Sequence, residues 1–480
     1  MTTLKDQLKA KLVGQTLQQV PSPCAVLDRA KLEVNCQRML DATARLGLLW
    51  RAHIKTHKTT ELTRLQVGDD RTTPVALLTS TVLEAENITP LLQEYKSQGR
   101  DVNVLLGFPL FPSSIPRLSQ VSSQLGKGGL SVMIDHPDQL KSAAAIRQSS
   151  GHPPLVFIKI DAGYGRAGVV PKSSAYTELI DAVLAAEQAG SCKLHGLYCH
   201  AGHSYGLRED WEAMKYLAAE FAELTAAAAL VRFKIPHHKL VLSVGATPTT
   251  TTIQNPSFTA KDLESADETT REIITLFKEA KEAGHKLEVH AGVYPTLDIQ
   301  QLSTHARDSS LLTANDIAIS VIAEVASVYP TRGKNNTPEA LICAGTLALG
   351  REPVSDKGSP PGVDYSSWGY VMPWGSPSLQ SKQPLPGAEF PRVHGGWQVG
   401  RISQEHGILT WNGSGSASSD EKEEEIPELK VGDKVRIWPN HACVAGAAFD
   451  YYLVVDSRNN NNSKEDEQVV VDVWPRWRGW

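Results

Sequence analysis

From residue 49 onward the chain alternates short apolar runs with longer amphipathic stretches. The runs are LLWRAHIK (48–55), PVALLTS (74–80), DVNVLLGFP (101–109), LSVMID (130–135), LVFIKID (155–161), KLHGLYCH (193–200), KLVLSVGA (239–246) and KLEVHAGVY (286–294). Helical patterns such as HPDQLKSAAAIRQ, YTELIDAVLAAEQAG and REDWEAMKYLAAEFAELTAAAAL lie between them. Strands alternating with helices predict parallel βαβ units. Eight of them over about 250 residues predict a (β/α)8 barrel, with a doubly wound open sheet as the competing architecture.

After about residue 310 the pattern changes. IAISVIAEVASVYP, EALICAGTLAL, WQVGRISQEHGILTW, DKVRIWPNHACV, YYLVVD and VVVDVWPRWRGW read as strands without long intervening helices, hence as a separate all-β domain. The expected organisation is an N-terminal helix or extension over 1–20, a barrel over 21–310 and a β domain over 311–480. The run CAVLD (24–28) either joins the β domain or caps the barrel. Loop-like insertions are expected near 354–396, rich in Ser, Pro and Gly, and at 412–425 and 459–467.

Composition narrows the function classes. At about 150 residues per domain, 480 residues suggest three domains, which the strand count reduces to two. A net charge of −5 offers no basic footprint for nucleic acid or anionic lipid. No apolar run approaches the roughly 18 residues of a membrane span, and the N-terminus has no signal-peptide core. The six cysteines include no CxxC pair, so a cytoplasmic protein with reduced thiols is expected.

In a barrel the chemistry sits at the carboxyl ends of the strands. Here those ends read HIKTHK, IDAGYGRAG, YCHAGHSYG, SVGATPT and HAGVYPTLD. Lys55 closes the first barrel strand, where partial desolvation would lower its pKa and suit it to a Schiff base; a solvated or ion-paired lysine is the plainer reading. Lys58 is the weaker candidate. Gly163–Gly168 matches GxGxxG, but the following VVPKSS opens no helix and the next strand ends in Cys199-His200 rather than an acid, which argues against a dinucleotide.

Gly202-His-Ser-Tyr-Gly206 matches the nucleophile elbow of a serine hydrolase, with Ser204 as nucleophile and Asp298 with His406 or His441 as partners. Against it, the HGG at 394–396 follows the serine instead of preceding it. The segments 243–249, with Gly245 and Thr247, and 292–294 end the last two strands. They suit a phosphate held by backbone N–H groups, or plain turns. His441 and Cys443, at i and i+2, would share one face of a strand and could offer a metal two ligands, leaving positions open.

Together these segments resemble the D-serine dehydratase and D-threonine aldolase family, pyridoxal-phosphate enzymes of the alanine-racemase-like fold type. The resemblance covers roughly residues 20–310 and 340–456. Arg51-Ala-His-Ile-Lys-Thr-His-Lys58 matches the family's RPHxKTHK, with Ala52 in place of proline. Asp161–Val169 matches DxGxxRxGV, His200–Tyr205 matches HxGHxY, and Pro439–Cys443 matches PxHxC. The GNY phosphate loop appears as Gly292-Val293-Tyr294, without the asparagine, and Gln404–Gly407 matches a segment of no assigned role.

The resemblance implies Lys55 as the cofactor lysine and α-proton base. It places Arg166 near the cofactor's phenolic oxygen, Tyr198 at its ring nitrogen and Tyr205 at its phosphate. Zn2+ would sit on His441 and Cys443, and the cysteine favours a dehydratase over an aldolase, which carries His-x-Asp. The implied reaction is dehydration and deamination of D-serine to pyruvate and ammonia, with zinc assisting loss of the β-hydroxyl. A head-to-tail homodimer is implied as well. The alternatives are retro-aldol cleavage of D-3-hydroxy amino acids, racemisation, a non-enzymatic pyridoxal-phosphate carrier and, more distantly, the serine hydrolase.

Overall fold

The computed structural model describes residues 3–259, 266–354, 365–413, 425–459 and 468–480. Of the expected insertions, residues 355–364, 414–424 and 460–467 lie outside the described residues. Two compact units form: Gln37–Gly292 with Gly479–Trp480, and Met1–Cys36 with Val293–Arg478.

Chain order begins with α1 (Leu4–Leu12), β1 (Cys24–Asp28) and α2 (Arg29–Leu46). The alternating region follows as β2 (Leu49–His53), α3 (Thr60–Val67), β3 (Val75–Thr79), α4 (Val82–Ser97), β4 (Val102–Pro109), α5 (Ile115–Leu125), β5 (Leu130–Ile134), α6 (Gln139–Ser150), β6 (Leu155–Lys159) and α7 (Ser174–Gln188). It ends with β7 (Lys193–Tyr198), α8 (Asp210–Lys234), β8 (Val241–Val244), α9 (Thr247–Thr251), α10 (Glu268–Glu282) and β9 (Lys286–Ala291). The remainder is α11 (Ile299–Ser303), β10 (Ile319–Tyr329), β11 (Glu339–Ile342), α12 (Thr346–Leu349), β12 (Gly369–Val371), α13 (Pro377–Lys382), β13 (Trp397–Ile402) and β14 (Gly407–Trp411). Then come β15 (Lys434–Pro439), α14 (Ala442–Ala447), β16 (Tyr451–Val455) and β17 (Asp472–Pro475).

Strands β2 to β9 pair in parallel and close on themselves, β2 against β9 in the register Leu49↔Glu288. The eight expected strands are these eight, and closure excludes the open sheet. A strand buried on both faces reads as a continuous apolar run, as β5 and β8 do. Leu78, Leu105, Met133, Phe157, Tyr198 and Val241, one from each of β3 to β8, pack as a cluster inside the barrel. The same interior holds an ion pair, Arg51 Nε to Glu288 Oε1 at 2.7 Å, whose guanidinium also donates to Asn103 at 2.8 Å and Leu77 O at 3.1 Å. Helix starts are set by side-chain caps: Thr59, Thr81, Ser173 and Asp267 each accept an amide from the first turn of α3, α4, α7 and α10.

The other unit is a sheet of nine strands among the described residues, in the order β11-β14-β13-β12-β15-β10-β1-β16-β17. β1 sits antiparallel to β10 and parallel to β16, so CAVLD belongs to this sheet. The division therefore differs from the expected boundaries at 20 and 310. The first 36 residues are held by β1 pairing and by α1, whose Leu12 enters the core with Val26, Leu453 and Val473. Two local readings are also corrected. EALICAGTLAL is a strand only to Ile342 before turning into α12, and the Ser/Pro/Gly-rich stretch contains β12, paired to both β13 and β15, and α13. Among the described residues no helix is long and apolar enough to cross a membrane.

Candidate active site at the strand ends of the barrel

β2 hands the chain into a turn that carries Lys55. His53 Nδ1–H donates to Leu78 O at 2.8 Å, and the Ile54 amide donates to the same carbonyl at 3.1 Å. Lys55 follows, half-buried. Lys58, at φ +51°, is committed elsewhere: its Nζ lies 2.9 Å from Glu84 Oε1. His57 is buried and fixed, since Nδ1 accepts the Thr59 amide at 3.1 Å and Nε2–H therefore donates to Gln66 Oε1 at 2.9 Å.

The loop after β6 turns back on its own strand instead of opening a helix. Val169 N donates to Lys159 O and Asp161 N to Val169 O, while the Asp161 carboxylate accepts the Gly163 and Gly165 amides, each at 3.0 Å. Gly168, at φ +113°, has no room for a Cβ, which would stand 2.8 Å from Asp161 N. With α7 starting only at Ser174, the GxGxxG match is not a dinucleotide fold. Arg166 is exposed, its guanidinium 5.1 Å from the Tyr164 ring centre.

At the end of β7, Tyr198 is buried and stacks on His290 of β9, with ring centres 4.3 Å apart and planes 12° from parallel. Burial raises its hydroxyl pKa far above the ordinary value, so the phenol is protonated. His200 Nδ1–H donates to Gly245 O at 2.7 Å. His53, His200 and His290 are all pushed well below the usual imidazole value, by burial first. Lys55 and Arg166 add repulsion at His53 and His200, and Lys159 at His200 and His290. Three neutral imidazoles thus stand among three cations. His290 Nδ1 lies 3.1 Å from the Ser243 hydroxyl, while its buried Nε2 has no hydrogen-bond partner among the described residues.

β8 ends in Gly245, Ala246 and Thr247, all buried. Gly245 has φ +146°, and a Cβ there would stand 2.2 Å from His290 O and 2.3 Å from Thr250 Oγ1. At the end of β9, a Cβ on Gly292 would lie 3.3 Å from that of His53. The orphaned buried Nε2 of His290 is a feature that a bound polar group would satisfy. The barrel thus gathers Lys55, Arg166, Tyr198, Gly245, Thr247 and Gly292 at the carboxyl ends of its strands. Tyr205 lies half-buried in the turn after β7.

Sequence reasoning missed two buried groups here. Lys159 ends β6 with its Nζ 4.4 Å from the Tyr198 ring centre, and burial lowers its pKa to about 8. Glu220 on α8 accepts the Ala201 amide at 3.0 Å, the Gly245 amide at 3.2 Å and the Thr249 hydroxyl at 2.9 Å. Ser204 is fully buried in the short turn Gly202–Gly206, and its hydroxyl meets no base among the described residues. A nucleophile elbow needs an exposed serine on a strand-to-helix turn, so the hydrolase reading fails on geometry.

The remaining candidates lie in the β unit. Val293 and Tyr294 follow Gly292 directly; both are buried, and the Tyr294 hydroxyl hydrogen-bonds the Cys36 thiol. β15 stops at Pro439, so His441 and Cys443 are not on a strand: His441 is the extended residue preceding α14, and Cys443 is in its first turn. The alanines in HACVAGAA favour the helix over the strand expected. The loop is fixed nonetheless. Asn440 donates to Ser367 O at 2.6 Å and Glu352 O at 3.2 Å, and Asp298 accepts the Ala442 amide at 2.8 Å. Among the described residues no three His, Cys, Asp or Glu converge on one metal position.

Residues 73–261 match the alanine racemase N-terminal domain family and 318–455 the serine dehydratase domain family. The chain is 35% identical to D-serine dehydratase of Schizosaccharomyces pombe, over 99% of this chain and 96% of that one. It is 30% identical to D-serine dehydratase of Saccharomyces cerevisiae, over 97% and 98%. Among solved structures, D-threo-3-hydroxyaspartate dehydratase from Delftia sp. HT23 matches with a TM-score of 0.68 at 25% identity, over 97% of this chain and 100% of that one. A cysteine-to-alanine variant of that enzyme is known in a metal-free form. Matched along its whole length, the chain belongs to the D-serine dehydratase family, lyases built on an alanine racemase-like barrel.

Proposed function

We propose that this protein is a pyridoxal-phosphate- and zinc-dependent lyase that converts D-serine to pyruvate and ammonia. The observation that carries the reading is Lys55, half-buried at the end of a barrel strand and flanked by imidazoles kept neutral, in a chain similar over its full length to D-serine dehydratases. Lys55 would hold the cofactor through its amine, with Arg166 toward the phenolic oxygen and Tyr198 toward the ring nitrogen. Tyr205 and the backbone of Thr247 and Gly292 would take the phosphate, with Gly245, whose own N–H goes to Glu220, shaping the turn that carries Thr247. The bound cofactor supplies an electron sink for charge developing at the α-carbon.

The chain's own groups do the rest. The Lys55 amine takes the α-proton. A protonated Tyr198 phenol, unlike a carboxylate, does not require a protonated ring nitrogen, so departure of the β-hydroxyl needs separate help. His441 and Cys443 would offer an imidazole and a thiolate, two of the donor types of a catalytic zinc site, and zinc held there would supply a Lewis acid for the β-oxygen. In the Delftia enzyme the variants described as Cys→Ala and His→Ala are likewise two positions apart. A homodimer is part of the same reading.

The test is release of ammonia and of the matching oxo acid, which is pyruvate from D-serine or L-serine, oxobutyrate from D-threonine and oxaloacetate from D-threo-3-hydroxyaspartate, with and without EDTA. D-serine turnover that EDTA abolishes and zinc restores is expected, with a visible cofactor band that Lys55→Ala removes. Cleavage of D-threonine to an aldehyde and glycine instead makes the enzyme an aldolase, and faster turnover of hydroxyaspartate reassigns the substrate within the same chemistry.

A further inference from the structure

Helix α8 packs Leu217, Phe221 and Leu224 into the barrel's flank, and Glu220 shares that buried face at 2% exposure. A carboxylate in such a place is costly unless its oxygens are satisfied. They are satisfied by the ends of two neighbouring strands. β7 and β8 pair through Gly196↔Val241, Leu197↔Leu242 and Tyr198↔Ser243, and Cys199 N donates the last ladder bond to Ser243 O. Beyond it the backbones part into two loops. Oε1 of Glu220 then accepts Ala201 N at 3.0 Å from one loop and Gly245 N at 3.2 Å from the other. Oε2 accepts the Thr249 hydroxyl at 2.9 Å, and the Cys199 thiol lies 3.6 Å from Oε1.

Gly245 is consequently held at both ends of its backbone. Its N–H goes to Glu220, and its carbonyl accepts His200 Nδ1–H at 2.7 Å, His200 being flanked by two residues that themselves bond Glu220. We propose that Glu220 is a positioning residue of the active site: it bridges the strand ends of β7 and β8 and so sets the Gly245–Thr247 backbone and His200 for the cofactor's phosphate. The inference rests on the functional reading above and adds to it a residue that touches neither cofactor nor substrate.

A glutamine can keep this geometry. Its carbonyl oxygen accepts both amides, and its NH2 donates to Thr249 Oγ1, whose own hydrogen can turn to Ala246 O, 3.4 Å away. The experiment compares wild type, Glu220→Gln, Glu220→Met and Thr249→Val, with Phe277→Ala as a control that loosens α8 through its ring contact with Phe221. The readouts are spectrophotometric affinity of the apoprotein for pyridoxal phosphate, thermal midpoint, and amide hydrogen exchange over 199–206 and 243–251.

Glu220→Met is expected to weaken cofactor affinity about 10–100-fold and to speed exchange in both segments, with Glu220→Gln restoring both nearly to wild type. Unchanged affinity in folded Glu220→Met, or an equal loss in Phe277→Ala at matched thermal midpoint, overturns the proposal. If Glu220→Met does not fold, Thr249→Val decides: weaker cofactor binding at a retained midpoint supports the bridge, and wild-type binding overturns it. A wild-type protein that binds no pyridoxal phosphate at all overturns the functional reading first, and the bridge with it.

Discussion

The Asp298 carboxylate accepts the amide of Ala442 at 2.8 Å, the residue between His441 and Cys443, and its other oxygen accepts Gln301 N at 2.8 Å. One buried acid thus joins the start of α11 to the loop that would hold zinc. Asp298 is also close enough to His441 for the two to interact electrostatically, as a carboxylate that orients a ligating imidazole does. Asp298→Asn turns an NH2 toward one of two backbone N–H groups and leaves that bond unmade. Zinc affinity, measured by competition with a chromophoric chelator, is expected to fall about 10–100-fold while the Lys55 cofactor band persists. Wild-type zinc affinity in the variant would remove Asp298 from the metal site.

Lys159 carries a stability cost that its position explains. The amine is buried over the Tyr198 ring with Arg166 nearby, and its pKa falls to about 8 from the ordinary 10.5. Below pH 8 the folded protein carries a buried ammonium; between about 8 and 10.5 the native state binds fewer protons than the unfolded one, so stability rises with pH there. Lys159→Met is expected to stabilise the fold by about 1–3 kcal/mol at neutral pH, with the gain shrinking toward pH 10. Urea melts of both proteins at several pH values measure it. A simultaneous loss of cofactor affinity would show that the cost is retained for function.

The barrel was legible because each strand is an apolar run bounded by breakers, and Lys55, Arg166 and Tyr198 stood out as candidates because they lie at or beyond the carboxyl ends of those runs. What escaped was set by distant partners. Glu220 was not singled out within its alanine-rich helix, yet it falls at i+3 from Leu217 and i−4 from Leu224, on the buried stripe. That spacing was the available signal. Lys159 and His290 were likewise readable as polar residues ending buried strands. β1 joining the second sheet was not, since its partners β10 and β16 lie roughly 300 and 430 residues away and pattern alone cannot choose between two sheets. The metal loop was misread because two alternating polar residues look alike on a strand and at a helix start.

Gly245 is the position where a single methyl group should do most damage. At φ +146° an L residue is strained, and the added Cβ would collide with His290 O and the Thr250 hydroxyl, which donates to that carbonyl at 2.9 Å. Gly245→Ala is expected to destabilise the protein by about 2–4 kcal/mol and to weaken cofactor binding beyond what Gly292→Ala does, whose Cβ meets its neighbour at a tolerable 3.3 Å. Paired thermal melts and cofactor titrations rank the two variants; equal effects would show that the close approach at β8 is not special.

The neutral imidazoles make acid the weak side of this fold. His53, His200 and His290 titrate well below the ordinary 6.5 in the folded protein, and His195 at about 4. As pH falls below about 6.5 the unfolded chain takes up protons that the native barrel refuses, so each histidine removes up to about 1.4 kcal/mol per pH unit. Glu220, raised to about 7 by burial, acts in the opposite sense between 4.5 and 7, because there the native state is the one that holds the extra proton. His285 is lowered by burial as well, and among the acids Asp298 is raised like Glu220, so the lowered histidines outnumber the raised acids and leave a net loss of stability in acid. Urea unfolding between about pH 5 and pH 8 should show a stability that rises with pH. His290→Phe keeps a ring on Tyr198 and removes one titrating group, so its slope should be lower by about one proton. An unchanged slope in that variant would mean that His290 is already charged in the folded protein.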